Sequence, residues 1–73
     1  MSDSTTVYVD RAAALTALLV WVDKQRRDKR DVTDWDIDDQ MGRYQYMTDD
    51  YQVRTLRYYY SLGDMMTILR GLK

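Results

Sequence analysis

Residues 10–30, DRAAALTALLVWVDKQRRDKR, decide the fold of this chain. Asp10 has the chemistry of an N-cap, a short carboxylate able to accept a bond from the free N–H groups of a first helical turn. Behind it Ala12, Leu15, Leu18, Leu19 and Val22 recur at helical spacing, and Ala14 and Trp21 widen the stripe. This predicts a helix from Arg11 to about Arg30, with an apolar half for the core and two charged final turns. The apolar stretch from Ala12 to Val22 is too short to span a bilayer and runs directly into charge.

Working outward, Met1–Thr6 is small and polar and is expected to be a loose tail. Val7-Tyr8-Val9 is β-prone. On the other side, Asp31-Val32 breaks the helical pattern. Thr33 followed by Asp36 predicts a capping box opening a helix from Asp34 to about Met41. Trp35, Ile37 and Met41 are its expected apolar contributions, and Gly42 its C′ stop. Arg43–Met47 alternates and suits a strand, paired with Val7–Val9. Thr48, with Asp49 and Asp50 after it, predicts a third helix from Asp49 to about Tyr60, burying Val53, Leu56 and Tyr60. Ser61–Asp64 is a further cap for a helix from Leu62 to Arg70, unless Gly63 only interrupts one long helix. The expected fold is mostly α: three to four short helices in a small bundle, with one short two-stranded β element, forming a single domain over residues 7–73.

The chain has 73 residues, no Cys and no His. Such a chain buries one thin core, with no second layer to house a deep pocket. The usual nitrogen and sulfur metal ligands are missing, and so are the commonest general base and the thiolate nucleophile. Asp–Asp or Ser–Lys chemistry would need a desolvated cleft that so few residues can hardly enclose. The expectation is a protein that is not an enzyme, needs no cofactor and binds no metal. Net charge is −1, from 11 basic and 12 acidic residues, the acids all Asp. That balance suits neither a nucleic-acid coat nor a DNA mimic. The first residues lack the basic start and long apolar run of a signal peptide, so an intracellular location is expected.

Three features suit partner binding. The run Lys24, Arg26, Arg27, Lys29 and Arg30 packs five cations into seven residues. Cations satisfy a helix C-terminus, but two would suffice, and the surplus suits phosphate or an acidic surface. The following acids, Asp31, Asp34, Asp36, Asp38 and Asp39, would grip a basic patch or pair with the basic run. They lack the EF-hand glycine and ligand rhythm. Seven Tyr and two Trp are many for this length, and Tyr58-Tyr59-Tyr60 covers most of a helix circumference, so one ring at least must face out. Tyr, Trp and Arg dominate interface hot spots. Trp35, Tyr44, Tyr46, Arg54, Arg57 and Tyr58 are the candidate anchors. Asp34–Gly42 followed by Thr48–Gly63 also has a winged-helix cadence. On that alternative the chain is a compact DNA-binding regulator, and Gln52, Arg54 and Arg57 face bases or phosphate.

Over its length, MSDSTTVYVDRAAALTALLVWVDKQRRDKRDVTDWDIDD…YQVRTLRYYYSLGDMMTILRGLK resembles the short RNA-polymerase-binding regulators of lytic phages that infect Xanthomonas. The resemblance rests on length and whole-chain character. It implies a monomer in the cytoplasm of the infected host, bound to the β′ amino-terminal region and the β flap near the RNA exit channel. It implies inhibition of initiation by σ displacement, suppression of pausing and termination, and no catalytic residue. Lys24 to Arg30 would then face nascent RNA or an acidic polymerase surface, and Val7–Val9 would add a strand to an exposed edge. A third class, an inhibitor of a host defence nuclease, has the same surface-contact character.

Overall fold

The structure, a computed structural model, describes residues 6–71. The expected loose tail therefore lies, apart from Thr6, outside the described residues. The fold is mostly α with a short β element. Strand β1 (Val7–Tyr8) leads into α1 (Arg11–Arg27) and α2 (Asp34–Met41); β2 (Gln45–Met47) and β3 (Val53–Thr55) follow, then α3 (Leu56–Tyr59) and α4 (Leu62–Arg70).

Helix α1 starts where its cap dictates. The Asp10 carboxylate accepts the Ala13 N–H at 2.8 Å from an extended backbone. Its buried line is Ala14, Leu18 and Val22, spaced by four residues, with Leu15, Leu19 and Trp21 packed at the flanks. Ala12, expected in the core, is exposed. The buried line is rotated about 50° around the helix from where the leucines alone place it.

The helix also ends at Arg27, three residues short of expectation. Lys29 takes a left-handed conformation, φ 60°. Its N–H reaches the Arg26 carbonyl at 3.0 Å, and the Arg30 N–H reaches that of Gln25 at 2.9 Å. These two bonds form a Schellman stop, with Lys in the position usually given to Gly. Because a Cβ is disfavoured there, Lys29→Gly is expected to stabilise the fold by about 0.5–1 kcal/mol, seen as a rise in melting temperature. An unchanged or lowered melting temperature would remove strain from this account of the helix end.

Helix α2 is framed as expected. The Asp36 N–H donates to Thr33 Oγ1 at 3.2 Å and the Thr33 N–H donates to Asp36 Oδ2 at 3.1 Å. Ile37 and Met41 are buried. Trp35 is not a core residue: it is 84% exposed. Two helical steps, about 200° of rotation, put it on the side opposite Ile37. Gly42 stops the helix in a right-handed conformation, φ −78°, so no left-handed requirement explains it. Space does: a Cβ there would lie 3.0 Å from Arg57 Nη2. That guanidinium donates to the Asp38 carbonyl at 2.7 Å and more loosely to its carboxylate at 3.4 Å, tying α3 to the end of α2.

The largest correction falls on residues 49–60, which are not one helix. Thr48 caps a hairpin instead. Its hydroxyl accepts the Gln52 N–H at 3.0 Å and donates to Asp50, while its own N–H donates to the Gln52 carbonyl at 2.8 Å. Tyr51, φ 63°, supplies the left-handed residue that a three-residue hairpin loop needs. Val53 then faces Met47, Arg54 faces Tyr46 and Thr55 faces Gln45, antiparallel. Strand β1 pairs with the other side of β2, parallel, matching Val7 with Gln45 and Tyr8 with Tyr46. The β element thus has three strands, ordered β1-β2-β3, where two were expected. Val53 is exposed rather than buried, while Leu56 is buried and Tyr60 packs on the core.

The chain turns extended at Tyr60, so α3 and α4 are separate helices. A second capping box, Ser61 with Asp64, opens α4 at 3.0 and 3.2 Å. Helix α4 buries Met65 and Leu69 beside Val22, Ile37, Met41, Tyr46 and Leu56. Among the described residues the core holds no polar or charged side chain, and no helix is long and apolar enough to cross a membrane.

Candidate functional site

The hairpin and the start of α1 bring together an arginine–tyrosine face. Because α3 follows β3 without a loop, Tyr58 and Tyr59 are set beside the first turn of α1. The Arg11 guanidinium lies 3.7 Å above the Tyr59 ring, and that of Arg54 lies 4.9 Å from the Tyr58 ring centre. Tyr59 meets Tyr60 edge-on at 4.9 Å. The Tyr60 hydroxyl raises the pKa of Arg11 above its ordinary value, with the neighbouring tyrosines adding to it. Between α1 and the hairpin lies an open cleft of about 420 Å³, bordered by Asp10, Arg11, Met47, Asp49, Tyr58 and Tyr59. Tyr58 is 68% exposed, Tyr59 55% and Tyr51, on the hairpin tip, 84%. Rings held by guanidinium stacking on one side and open on the other are preorganised for contact with a partner.

The basic run forms a second zone. Lys24, Arg26, Arg27, Lys29 and Arg30 are all exposed. Arg27 pairs with Asp23 one turn earlier at 2.9 Å; the other four form no salt bridge among the described residues. Arg26 borders a small cleft of about 100 Å³ with Arg70, over a floor that includes Val22, Val32 and Met66. The C-terminal ends of α1 and α4 therefore share one cationic pole. Arg11 and Arg26 are fifteen residues apart on α1, roughly 22 Å of helix, so the two zones occupy its two ends.

The remaining anchor candidates divide. Trp35 stands on α2 over a shallow depression that it borders with Asp34, Asp38 and Leu62. Tyr46 is only 4% exposed and belongs to the core, because its place opposite Arg54 in the β2–β3 ladder points it at α1; it cannot serve as a displayed anchor. Burial raises its pKa. Tyr44 is half-buried against Tyr8, ring centres 6.0 Å apart, and burial raises its pKa too. Arg57 is committed to α2. Sequence reasoning missed Arg11, Tyr51, Tyr59 and Arg70. Only Tyr59 had a visible signal, the triple tyrosine, which requires at least one outward ring.

The winged-helix cadence loses its recognition helix, since Gln52 and Arg54 lie in a hairpin and Arg57 is tied down. Among the described residues no group of three His, Cys, Asp or Glu is placed to hold a metal ion. The Thr48 hydroxyl lowers the pKa of Asp50, so this shift and those of Tyr44, Tyr46 and Arg11 all run away from neutrality.

No family model, no curated protein and no solved structure matches this chain.

Proposed function

We propose that this chain is a non-catalytic phage regulator that binds bacterial RNA polymerase and acts in the cytoplasm of the infected host. The partner is taken from the whole-chain resemblance, which implies contact with the β′ amino-terminal region and the β flap. The observation that carries the docking reading is the arginine–tyrosine face: two exposed tyrosines, each stacked by its own arginine, at one end of α1. Residues of this type supply large rigid contact area at small entropic cost. The cationic pole at the other end of α1 supports the same reading, since contact with two polymerase regions calls for two separated zones. It also suits the acidic or RNA-bearing surroundings of an exit channel.

The test is capture from Xanthomonas lysate on immobilised chain. The β and β′ subunits should be retained in amounts that nuclease treatment does not change. Failure to retain them, or their release by nuclease, would reject polymerase as the direct partner. Reversing Arg26, Arg27 and Arg30 to Glu should slow association with purified polymerase by about tenfold at low salt, with helical circular dichroism preserved. Unchanged association kinetics would return the run to stabilising the end of α1.

A further inference from the structure

Trp35, as exposed as Tyr51 on the hairpin tip, is the exposed aromatic that the fold sets among carboxylates. Tyr58 and Tyr59 are each stacked by an arginine of this chain, whereas no cation lies over Trp35 among the described residues. Yet the indole is flanked by carboxylates. Helix α2 carries four of them and no cation. Asp36 is used in the capping box, Asp39 pairs with Arg43 at 2.8 Å, and Asp38 meets Arg57 at 3.4 Å. Asp34, next to Trp35, has neither an ion pair nor a capping bond among the described residues. Asp34, Trp35, Asp38 and Leu62 border one open depression of about 270 Å³.

We propose that this depression seats an arginine side chain presented by a protein partner. Leu62 and the indole would cover the aliphatic stem, the guanidinium would stack on the indole face, and Asp34 with the outer oxygen of Asp38 would accept its N–H groups. Charge complementarity selects a basic occupant, because an acidic segment would meet two carboxylates. Planarity selects arginine over lysine, since a guanidinium can stack and donate in parallel while an ammonium cannot. Asp38 already accepts from one guanidinium, that of Arg57, so its carboxylate is placed for this chemistry. The proposal rests on Trp35 as a docking residue but not on polymerase as the partner.

The experiment is a proton NMR titration of the full chain with an acetylated, amidated glycine–arginine–glycine peptide, beside its lysine and glutamate twins. The Trp35 indole N–H resonance should move with the arginine peptide while that of Trp21 stays. The arginine Cδ protons of the peptide should move upfield, as protons above an aromatic face do. Trp35→Ala, folded because the ring is exposed, should abolish the upfield shift. Asp34→Asn should weaken binding about threefold, as expected of an exposed ion pair. Equal shifts with the glutamate or lysine peptide, a response confined to the Asp49–Tyr51 loop, or no upfield shift would overturn the proposal. A chain that seats the peptide but ignores polymerase loses the transcription reading and keeps this one.

Discussion

Leu18→Ala is expected to remove a large fraction of the chain's folding stability and to lower its melting temperature sharply. Leu18 is completely buried at the middle of α1, in a core that among the described residues holds nine buried side chains from helices and sheet. Removing a buried leucine side chain costs about 2–5 kcal/mol, through lost transfer energy and the cavity left behind. A chain of this length is stable by about 4–11 kcal/mol at the usual 0.05–0.15 kcal/mol per residue, and it has no disulfide in reserve. For a domain this small each kcal/mol shifts the midpoint by about 4–8 °C, so a drop of at least about 10 °C should appear in thermal melts. Leu19, the next residue, lies at the flank of the core, and Leu19→Ala should cost less than half as much. Equal losses at the two positions would mean that the buried line of α1 does not run through Ala14, Leu18 and Val22.

Tyr58→Ala with Tyr59→Ala should weaken binding to polymerase by at least about thirtyfold while leaving the melting temperature nearly unchanged. Both rings are more than half exposed, so their removal opens no cavity. Their energetic weight is felt only when a partner desolvates them. A hot-spot side chain costs about 2 kcal/mol or more on truncation, roughly thirtyfold in affinity. The two rings share neighbours, so their losses need not add. The arginines make this a test of mechanism as well. Arg11→Lys and Arg54→Lys keep the charge but give up the planar stack, and should lose part of the affinity without changing the salt dependence. If the double tyrosine variant binds as tightly as the parent, the working surface lies elsewhere, with the cationic pole and Trp35 the remaining zones.

What could be read from the sequence was what local chemistry decides. Asp10, the Thr33–Asp36 pair and the Ser61–Asp64 pair each close their bonds within three residues, so three of the four helices start where expected. The hairpin was hidden because Thr48 caps a helix and a turn with the same atoms, and only tertiary pairing of Val53–Thr55 with β2 chooses between them. A glycine at position 51 would have betrayed the turn; Tyr51 in that left-handed place disguised it, as Lys29 disguised the end of α1. The site suffered from the same blindness. Tyr46 and Tyr58 are the same residue type, but the ladder register buries one, while the short α3 leaves the other exposed beside Arg54. Arg11 and Tyr59 are far apart in sequence, and only the packing of α1 against α3 stacks them.

At the two positive-φ positions glycine would be more comfortable, yet both residues are exposed and lie in or beside the proposed contact zones. Such strain is tolerated where the side chain is worth more than the backbone ease it costs. Lys29→Gly and Tyr51→Gly should therefore separate stability from binding, raising the first while lowering the second.

Action by contact alone is tested most directly by titrating purified chain into a promoter-dependent transcription reaction containing σ-bearing polymerase at a concentration well above the dissociation constant. Inhibition should rise in proportion to added chain and saturate near an equimolar ratio, with polymerase recovering full activity once the chain is stripped away. Complete inhibition by a small fraction of an equivalent, persisting after removal, would mean that the chain turns over and chemically alters its target, which contradicts a protein that works by contact alone.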